Sequence, residues 1–316
     1  MSKTKKPIFI LAPMDGISDR AFRQIIKGCC PPDLFFTEFT NVDGLNSVGV
    51  ENTKDRLIHP KTENNLIAQL WGLKPENFYK TARAISNQKY GQFLGIDLNM
   101  GCPDKTVTKN GACSALINNR ELAKEIIEQT KKGLSKGLTI SVKTRLGYNQ
   151  VDLTWIEFLL NQKLDYLIIH ARTKKELSKV PAHYQYFTDI IKLRDKINIQ
   201  TKIIANGDIL NYRQGIDLAK KYNLDGIMIG RGLFQDPFAF SPISPWTKYS
   251  VNQKIELFKK HINLFEKYWE GKKPIVLLNK FCKIYISNFS GSKDIRQDLM
   301  ESKSVTELKT KLDKLL

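Results

Sequence analysis

The stretch TKIIANGDILNYRQGIDLAKKYNLDGIMIGRG, residues 201–232, contains one complete unit of the predicted fold. It begins with a short apolar, β-branched run (201–208), continues with a segment of helical period (212–223) and ends in a second apolar run (226–232). Both runs are continuous rather than alternating, which is typical of parallel strands buried on both faces. The stretch therefore predicts a strand, a helix and a second strand parallel to the first.

Six further apolar runs of the same kind precede this unit. They are PIFILAP (7–13), DLFFTEF (33–39), NLIAQLWG (65–72), GIDLNMG (95–101), TISVKTRLG (139–147) and YLIIHAR (166–172). Charged segments of helical period lie between them, for example at 75–88 and 119–134. Eight strand–helix repeats in about 230 residues predict a (β/α)8 TIM barrel, and a doubly wound open sheet is the alternative.

The pattern changes after Pro245, where only helical segments follow, at 251–271, 273–289 and 304–316. We therefore predict a TIM-barrel domain over residues 1–243 and a small all-helical domain over residues 244–316. The second segment is basic, because residues 245–316 contain 15 Lys or Arg against 8 Asp or Glu.

The formal net charge of +18 favours an anionic partner, and nucleic acid is the commonest such partner. The alternative is a compositional bias of the genome, since the chain has 39 Lys against 11 Arg. Charge alone leaves both interpretations open.

The five cysteines are irregularly spaced and form no CxxC pair, which predicts neither a disulfide framework nor a zinc site. No other cluster of His, Cys, Asp and Glu has metal-ligand spacing, so we predict no metal. The basic segment 1–14 has too short an apolar run for a signal peptide or a spanning helix. We expect a cytoplasmic monomer without membrane contact.

Polar residues collect at the C-terminal ends of the apolar runs, and in a parallel barrel these ends open on one face. Gly207, Gly230 and Gly232, with Arg231, lie at the ends of the seventh and eighth runs and predict a phosphate site, although such glycines can also serve only tight turns. Lys143 and His170 end the fifth and sixth runs. This pair suits a cofactor ring that gathers negative charge, such as a reduced flavin.

A cysteine lies in the turn Gly101-Cys102-Pro103 that follows the fourth run. Because glycine permits a sharp turn and proline fixes the backbone after it, the thiol is predicted to face the barrel mouth. A free thiol has a pKa of about 8.5, so near neutral pH it carries a transferable proton and can act as proton donor or nucleophile. A buried core cysteine is the alternative, and that interpretation is favoured for Cys113.

Eight motifs in this order resemble those of the dihydrouridine synthases. They are APMDGISDRAFR (12–23), TEF (37–39), AQLWG (68–72), DLNMGCPDKTVTKNGA (97–112), VKTRLG (142–147), HART (170–173), NGDI (206–209) and MIGRG (228–232). The resemblance implies an FMN-dependent, NADPH-consuming enzyme that reduces selected uridines in RNA, usually tRNA, with a flavin barrel and a helical RNA-binding domain. The GCPDKTV turn and the C-terminal segment most resemble the bacterial C-type subclass, which acts in the tRNA D-loop.

The resemblance also implies roles for individual residues. Cys102 matches the proton donor, which protonates C5 of a uracil after hydride transfer from flavin N5 to C6. The positions that contact flavin match Ala12, Pro13, Met14, Gln69, Lys143 and His170, and those that bind its phosphate match Asn206, Gly207, Asp208, Gly230 and Arg231. The positions beside the uracil match Asn99 and Arg145, and a loop predicted to meet RNA carries Arg172, Lys174 and Lys175.

Other functions remain open at this point. FMN barrels that reduce small molecules, such as dihydroorotate dehydrogenases and ene-reductases, share the flavin residues but do not explain the basic helical tail. An RNA-binding protein with an inactive barrel explains the charge but not the residues at the strand ends. Within the family, ribosomal RNA is an alternative target to tRNA.

Overall fold

A closed parallel β-barrel forms the larger part of the computed structural model, which describes residues 6–197 and 199–316. Its strands are β1 (Ile8–Leu11), β2 (Leu34–Phe36), β3 (Thr40–Asn41), β4 (Leu66–Trp71), β5 (Gly95–Met100), β6 (Thr139–Gly147), β7 (Tyr166–Thr173), β8 (Lys202–Asn206) and β9 (Gly226–Ile229). β1 pairs with β9 and β2 pairs with β4, so eight strands close the barrel, while β3 only extends the edge of β4. The predicted TIM barrel is confirmed.

Helices surround this barrel and continue beyond it. Those between strands are α1 (Arg20–Cys29), α2 (Val42–Leu45), α3 (Val50–Thr53), α4 (Pro75–Ser86), α5 (Lys105–Lys109), α6 (Arg120–Gly133), α7 (Leu153–Leu160), α8 (Tyr186–Ile197) and α9 (Tyr212–Tyr222). Those after the last strand are α10 (Val251–Trp269), α11 (Asn279–Tyr285), α12 (Ser292–Met300) and α13 (Val305–Asp313). None of the described helices is long and apolar enough to cross a membrane. Residues 1–5 of the basic N-terminal segment lie outside the described residues.

The apolar runs become strands because both of their faces are covered. One set of side chains fills the barrel interior, and it comprises Ile10, Ala12, Phe36, Ile67, Ile168, Ile204 and Met228. The other set packs outward against the helices. The parallel register places Lys143 of β6 opposite Asn99 of β5, and His170 of β7 opposite Asn206 of β8. Polar residues at the strand ends therefore meet at one rim.

The C-terminal helices share buried side chains with the barrel. Phe281 of α11 lies 5.4 Å from Phe22 of α1 and 6.3 Å from Phe234, measured between ring centroids. The single helix predicted over 273–289 is instead a 3-10 turn (Ile275–Leu278) followed by α11. The predicted boundary between a barrel domain (1–243) and a helical domain (244–316) stays a prediction.

Candidate functional site

A cavity of about 490 Å³ opens at the C-terminal ends of the strands. Ten of the residues predicted to contact a flavin or its phosphate line it, and they are Ala12, Pro13, Met14, Lys143, His170, Asn206, Gly207, Asp208, Gly230 and Arg231. They come from five strand ends and lie far apart in the sequence. The structure thus brings ten residues, predicted separately as cofactor contacts, to one cavity.

Cys102 lines a second cavity at the same rim, of about 590 Å³, together with Trp71. The turn that carries it is held by two polar side chains. Asn99 Oδ1 accepts hydrogen bonds from the backbone N–H groups of Gly101 (3.1 Å) and Cys102 (2.9 Å). Arg145 Nε donates to the Gly101 carbonyl (2.8 Å). Both residues, predicted beside a uracil, therefore also fix the position of the thiol.

A chain of buried hydrogen bonds runs from this turn into the barrel. Asn99 Nδ2 donates to Gln69 Oε1 (3.3 Å), Gln69 Nε2 donates to Asp97 Oδ2 (2.7 Å), and Ser141 Oγ donates to Asp97 Oδ1 (2.5 Å). The Asp97 carboxylate can only accept hydrogen bonds, so it fixes the orientation of the Gln69 amide and, through it, that of the Asn99 amide. Burial raises the pKa of Asp97 to about 6. Gln69 is fully buried, and the cofactor cavity does not include it.

Two sequence positions that were not predicted belong to this chain of bonds. Asp97 and Ser141 lie inside the apolar runs 95–101 and 139–147, where a polar residue is unusual for a strand buried on both faces. These polar residues inside apolar runs were the sequence signal from which the two positions could have been predicted. Their side chains bond each other inside the barrel instead of facing the open rim.

The thiols of Cys102 and Cys113 act on each other's pKa as side-chain hydrogen-bond partners. This interaction lowers the pKa of Cys102 to about 7, against the opposing effect of burial. The same contact and burial raise the pKa of Cys113 well above its ordinary value, so Cys113 is the donor. Cys113 is buried, as predicted for a core cysteine, but it also acts on the candidate proton donor.

Lys143 and His170 present two different kinds of donor to the first cavity. Burial, with Arg145 nearby, lowers the pKa of Lys143 to about 8, so most of it is still charged at neutral pH. Burial and the surrounding cations lower the pKa of His170 well below its ordinary value, which leaves a neutral imidazole. The buried His170 Nδ1 has no hydrogen-bond partner among the described residues. A bound ligand can satisfy such an atom.

The glycines at the rim keep the predicted phosphate end open. Gly207 has a φ of +113°, and an added Cβ there would lie 3.5 Å from the His170 ring. At Gly230 an added Cβ would lie 3.3 Å from the Cβ of Ala12 and 3.4 Å from the sulfur of Met14. A side chain would be strained by the positive φ at Gly207 and crowded at Gly230, so glycine leaves both backbone segments open to an approaching anion.

The carboxylate of Asp208, at the predicted phosphate end of the cavity, is paired with two guanidinium groups. Arg231 Nη2 donates to Asp208 Oδ1 (3.0 Å), and Arg172 Nη2 donates to Asp208 Oδ2. The Arg231 side chain is 59% exposed, so Asp208 positions a guanidinium that keeps open donors at the rim. Asn206 Nδ2 donates to the Met228 carbonyl (2.9 Å) and joins β8 to β9.

The three basic residues predicted on an RNA-facing loop lie in different environments. Arg172 is buried, and its guanidinium bonds Asp208 and the Val180 carbonyl (2.5 Å), so it is not on the surface as the sequence suggested. The Lys174 ammonium lies 4.7 Å from the centre of the Tyr148 ring, and Lys175 is exposed. Of these three residues, Lys174 and Lys175 have side chains that reach the surface.

No group of three or more His, Cys, Asp and Glu side chains in the described ranges is arranged to hold a metal ion.

The profile of the family described as dihydrouridine synthase matches residues 10–316. The chain belongs to the dihydrouridine synthase family. A probable tRNA-dihydrouridine synthase of Staphylococcus aureus is 41% identical over 316 residues, which cover 99% of this chain and 94% of that protein. Probable tRNA-dihydrouridine synthase 2 of Bacillus subtilis is 40% identical over 312 residues, which cover 98% and 94%. The resemblance seen in the motifs is confirmed.

Solved structures support the fold of this dihydrouridine synthase family member. A mutant of morphinone reductase, solved in complex with tetrahydroNAD, superimposes with a TM-score of 0.51 at 12% identity. The match covers 73% of this chain and 85% of the reductase. At that identity the likeness concerns the barrel alone. The family profile, in contrast, extends through α10 to α13, so the C-terminal helices are part of what the family shares.

Proposed function

We propose that this protein is a tRNA-dihydrouridine synthase, which reduces the C5=C6 bond of selected uridines in tRNA with FMN as cofactor and NADPH as electron donor. The observation that carries the proposal is the position of the Cys102 thiol on the same rim as a cavity lined by Lys143 and His170. A thiol suited to donate a proton and a cavity suited to a cofactor therefore open on one face of the barrel.

The residues of the first cavity fit a flavin mononucleotide. Lys143 suits the ring region that gathers negative charge, and the unpartnered His170 Nδ1 suits a polar atom of the same group. Gly207, Gly230 and Arg231 suit the phosphate, because they combine open backbone with a guanidinium. When bound, the flavin supplies the hydride that adds to C6 of the uracil.

The chain supplies the proton. Cys102 donates its thiol proton to C5, which completes the saturated bond, and the thiolate regains a proton from solvent. A thiol pKa of about 7 suits this task at neutral pH, because both the acid and its conjugate base are populated. The bonds from Asn99 and Arg145 hold the turn so that the thiol keeps one position during the transfer.

The RNA has to bring a base to the rim. A base stacked inside folded tRNA cannot reach it, so we expect the target uridine to be flipped out. The basic C-terminal segment, Lys174 and Lys175 are suited to contact phosphates, which makes affinity fall with salt. We expect the enzyme to act as a cytoplasmic monomer on the D-loop, as in the C-type subclass; ribosomal RNA is the alternative target.

A comparison of the wild type with Cys102→Ala tests this proposal. Each protein, loaded with FMN, is incubated with unmodified tRNA transcript and NADPH, and the gain of two mass units per uridine is measured after nuclease digestion. We expect the wild type to modify one or a few positions and Cys102→Ala to lose about 10²- to 10⁴-fold in rate with an unchanged flavin spectrum. Cys282→Ala, which alters a buried thiol that lines neither cavity, is the control.

Two results would contradict the proposal in different ways. Wild-type rates for Cys102→Ala would refute the role of the thiol but not the reaction. If the wild type changes no tRNA but reduces ribosomal RNA or a small activated alkene, the substrate assignment is wrong.

A further inference from the structure

Asp15 and Arg56 line two cavities at once. One is the cavity of about 590 Å³ that contains Cys102. The other is a groove of about 690 Å³ between the barrel rim and the C-terminal segment, whose basic lining residues include Lys54, Lys272, Lys273 and Lys280. A polymer with one unit beside Cys102 and its backbone in the groove must therefore pass the Arg56 side chain.

Only one nitrogen of the Arg56 guanidinium is engaged. Nη1 donates to Asp15 Oδ1 (2.6 Å) and to the Phe39 carbonyl (2.9 Å), whereas Nε and Nη2 have no hydrogen-bond partner within residues 6–197 and 199–316. The side chains of Arg56 and Asp15 are 34% and 55% exposed, and ion pairs this exposed contribute little to stability. The backbone carbonyl thus positions a guanidinium whose remaining three N–H groups can bind an anion.

Unlike Arg56, the lysines of the groove have their ammonium groups already paired. Each already has a partner: Glu51 for Lys54, Asp55 for Lys272, Asp19 and Glu38 for Lys273, and the Gly16 carbonyl for Lys280. None of these lysines lines the Cys102 cavity. Among the described residues, Arg56 is the basic side chain common to both cavities. Its planar fork also suits a phosphate better than an ammonium does.

We infer that Arg56 binds an RNA phosphate adjacent to the target uridine, and that Asp15 holds the guanidinium until RNA arrives. This inference rests on the proposed function, because it takes RNA as the substrate. The phosphate replaces the Asp15 carboxylate as the partner of the guanidinium. Arg56 is therefore a positioning residue: it fixes the backbone so that the flipped base enters the Cys102 cavity.

Salt-dependent binding tests this role. Unmodified tRNA transcript is titrated against FMN-loaded wild type, Arg56→Gln and Lys192→Gln from 50 to 200 mM salt. We expect Arg56→Gln to reduce the slope of log Kd against log salt by about 0.7 to 0.9, the effect of one lost phosphate contact. Its kcat/KM for tRNA falls about tenfold or more, while flavin reduction by NADPH is unchanged. Lys192→Gln, at an exposed position of α8, behaves as wild type.

Two further variants separate phosphate binding from a purely structural role. Arg56→Lys restores the salt slope but not the full kcat/KM, because an ammonium lacks the planar fork. Asp15→Asn leaves Arg56 in place and tightens RNA binding, because it removes a competing carboxylate.

The possible failures are distinguishable. If the wild type reduces tRNA but Arg56→Gln keeps the wild-type slope, the inference is wrong, and a lower melting temperature then assigns Arg56 a structural role. If Asp15→Asn binds tRNA more weakly than the wild type, an RNA phosphate does not replace Asp15 as the partner of Arg56. If the wild type reduces no tRNA at all, the proposed function itself fails.

Discussion

At the scale of single residues, Cys113 controls how acidic the candidate proton donor is. The Cys113 thiol is buried and remains protonated, because its pKa lies well above the ordinary value, so its hydrogen bond stabilises the Cys102 thiolate. The pKa of Cys102 is lowered to about 7 chiefly by this interaction. Burial by itself raises the pKa of Cys102, so the lowered value depends on the second thiol.

Cys113→Ala should therefore raise the pKa of Cys102 back toward 9. The pH dependence of Cys102 alkylation by iodoacetamide, followed by peptide mass, reports this pKa. At pH 7 we expect alkylation to slow about tenfold or more, because less thiolate is present. Cys113→Ser keeps a donor and should show a smaller rise. Identical profiles for wild type and Cys113→Ala would show that the bond has no such effect.

Asp97 makes the stability of the fold depend on pH. Its pKa is 3.8 in an unperturbed chain and about 6 when buried in the barrel. The folded state thus holds this proton more tightly than the unfolded state does. The stabilisation from protonated Asp97 is complete below pH 3.8 and is lost as pH rises through 6, a change of about 3 kcal/mol.

Asp97→Asn removes this dependence. We expect its free energy of unfolding, relative to wild type, to increase by about 2 kcal/mol between pH 4 and pH 6.5. Urea unfolding at several pH values measures the difference, in which other titrating groups cancel. Asp189→Asn, at an exposed position of α8, should show no such trend. A constant difference across this range would contradict the assignment of the pKa to Asp97.

At the scale of elements, the apolar runs were sufficient to predict the eight barrel strands, although not the two-residue β3. β6 spans the predicted 139–147, because a run buried on both faces has no competing helical period. The rim residues were also predictable, since the C-terminal ends of parallel strands meet on one face. The prediction of one helix over 273–289 was wrong, because residues 275–278 form a 3-10 turn and α11 ends at Tyr285.

Contacts between distant elements could not be predicted in the same way. Whether the Arg172 guanidinium faces solvent or Asp208 depends on how β7 and β8 align, and no local pattern encodes that. Cys113 has a φ of +53°, which nothing in its neighbouring residues indicates. Arg56 lies in a 3-10 turn outside every motif, and its importance follows only from the two cavities that it borders.

The turn after β8 provides a test of the cofactor cavity. Gly207→Ala and Gly137→Ala both place an L-residue at positive φ, +113° and +95°, and each should destabilise the protein by about 1 kcal/mol or more. Only at Gly207 does the new Cβ enter the cavity beside His170; at Gly137 it meets no atom within 4 Å. FMN affinity, measured by fluorescence titration, should fall only in Gly207→Ala. Equal FMN affinity in both variants would place the cofactor elsewhere.

At the scale of the whole molecule, the barrel and the C-terminal helices form one hydrophobic core. Phe22 of α1, Phe258 of α10 and Phe281 of α11 are all buried in the same cluster. Arg20 of α1 also lies 4.2 Å from the centre of the Trp269 ring of α10. The groove that contains Arg56 is formed between these two parts, so its shape depends on their packing.

Phe281→Ala should therefore destabilise the entire protein and not only the C-terminal helices. Loss of a buried phenylalanine costs about 3 to 5 kcal/mol, and its ring contacts Phe22 of the barrel directly. In calorimetry we expect one unfolding transition that shifts as a unit, together with weaker tRNA binding because the groove loosens. Val276→Ala, at a side chain that is 57% exposed, should change neither property. Two transitions, with only the minor one shifted, would instead mean that the two parts fold independently and that the shared cluster does not couple them.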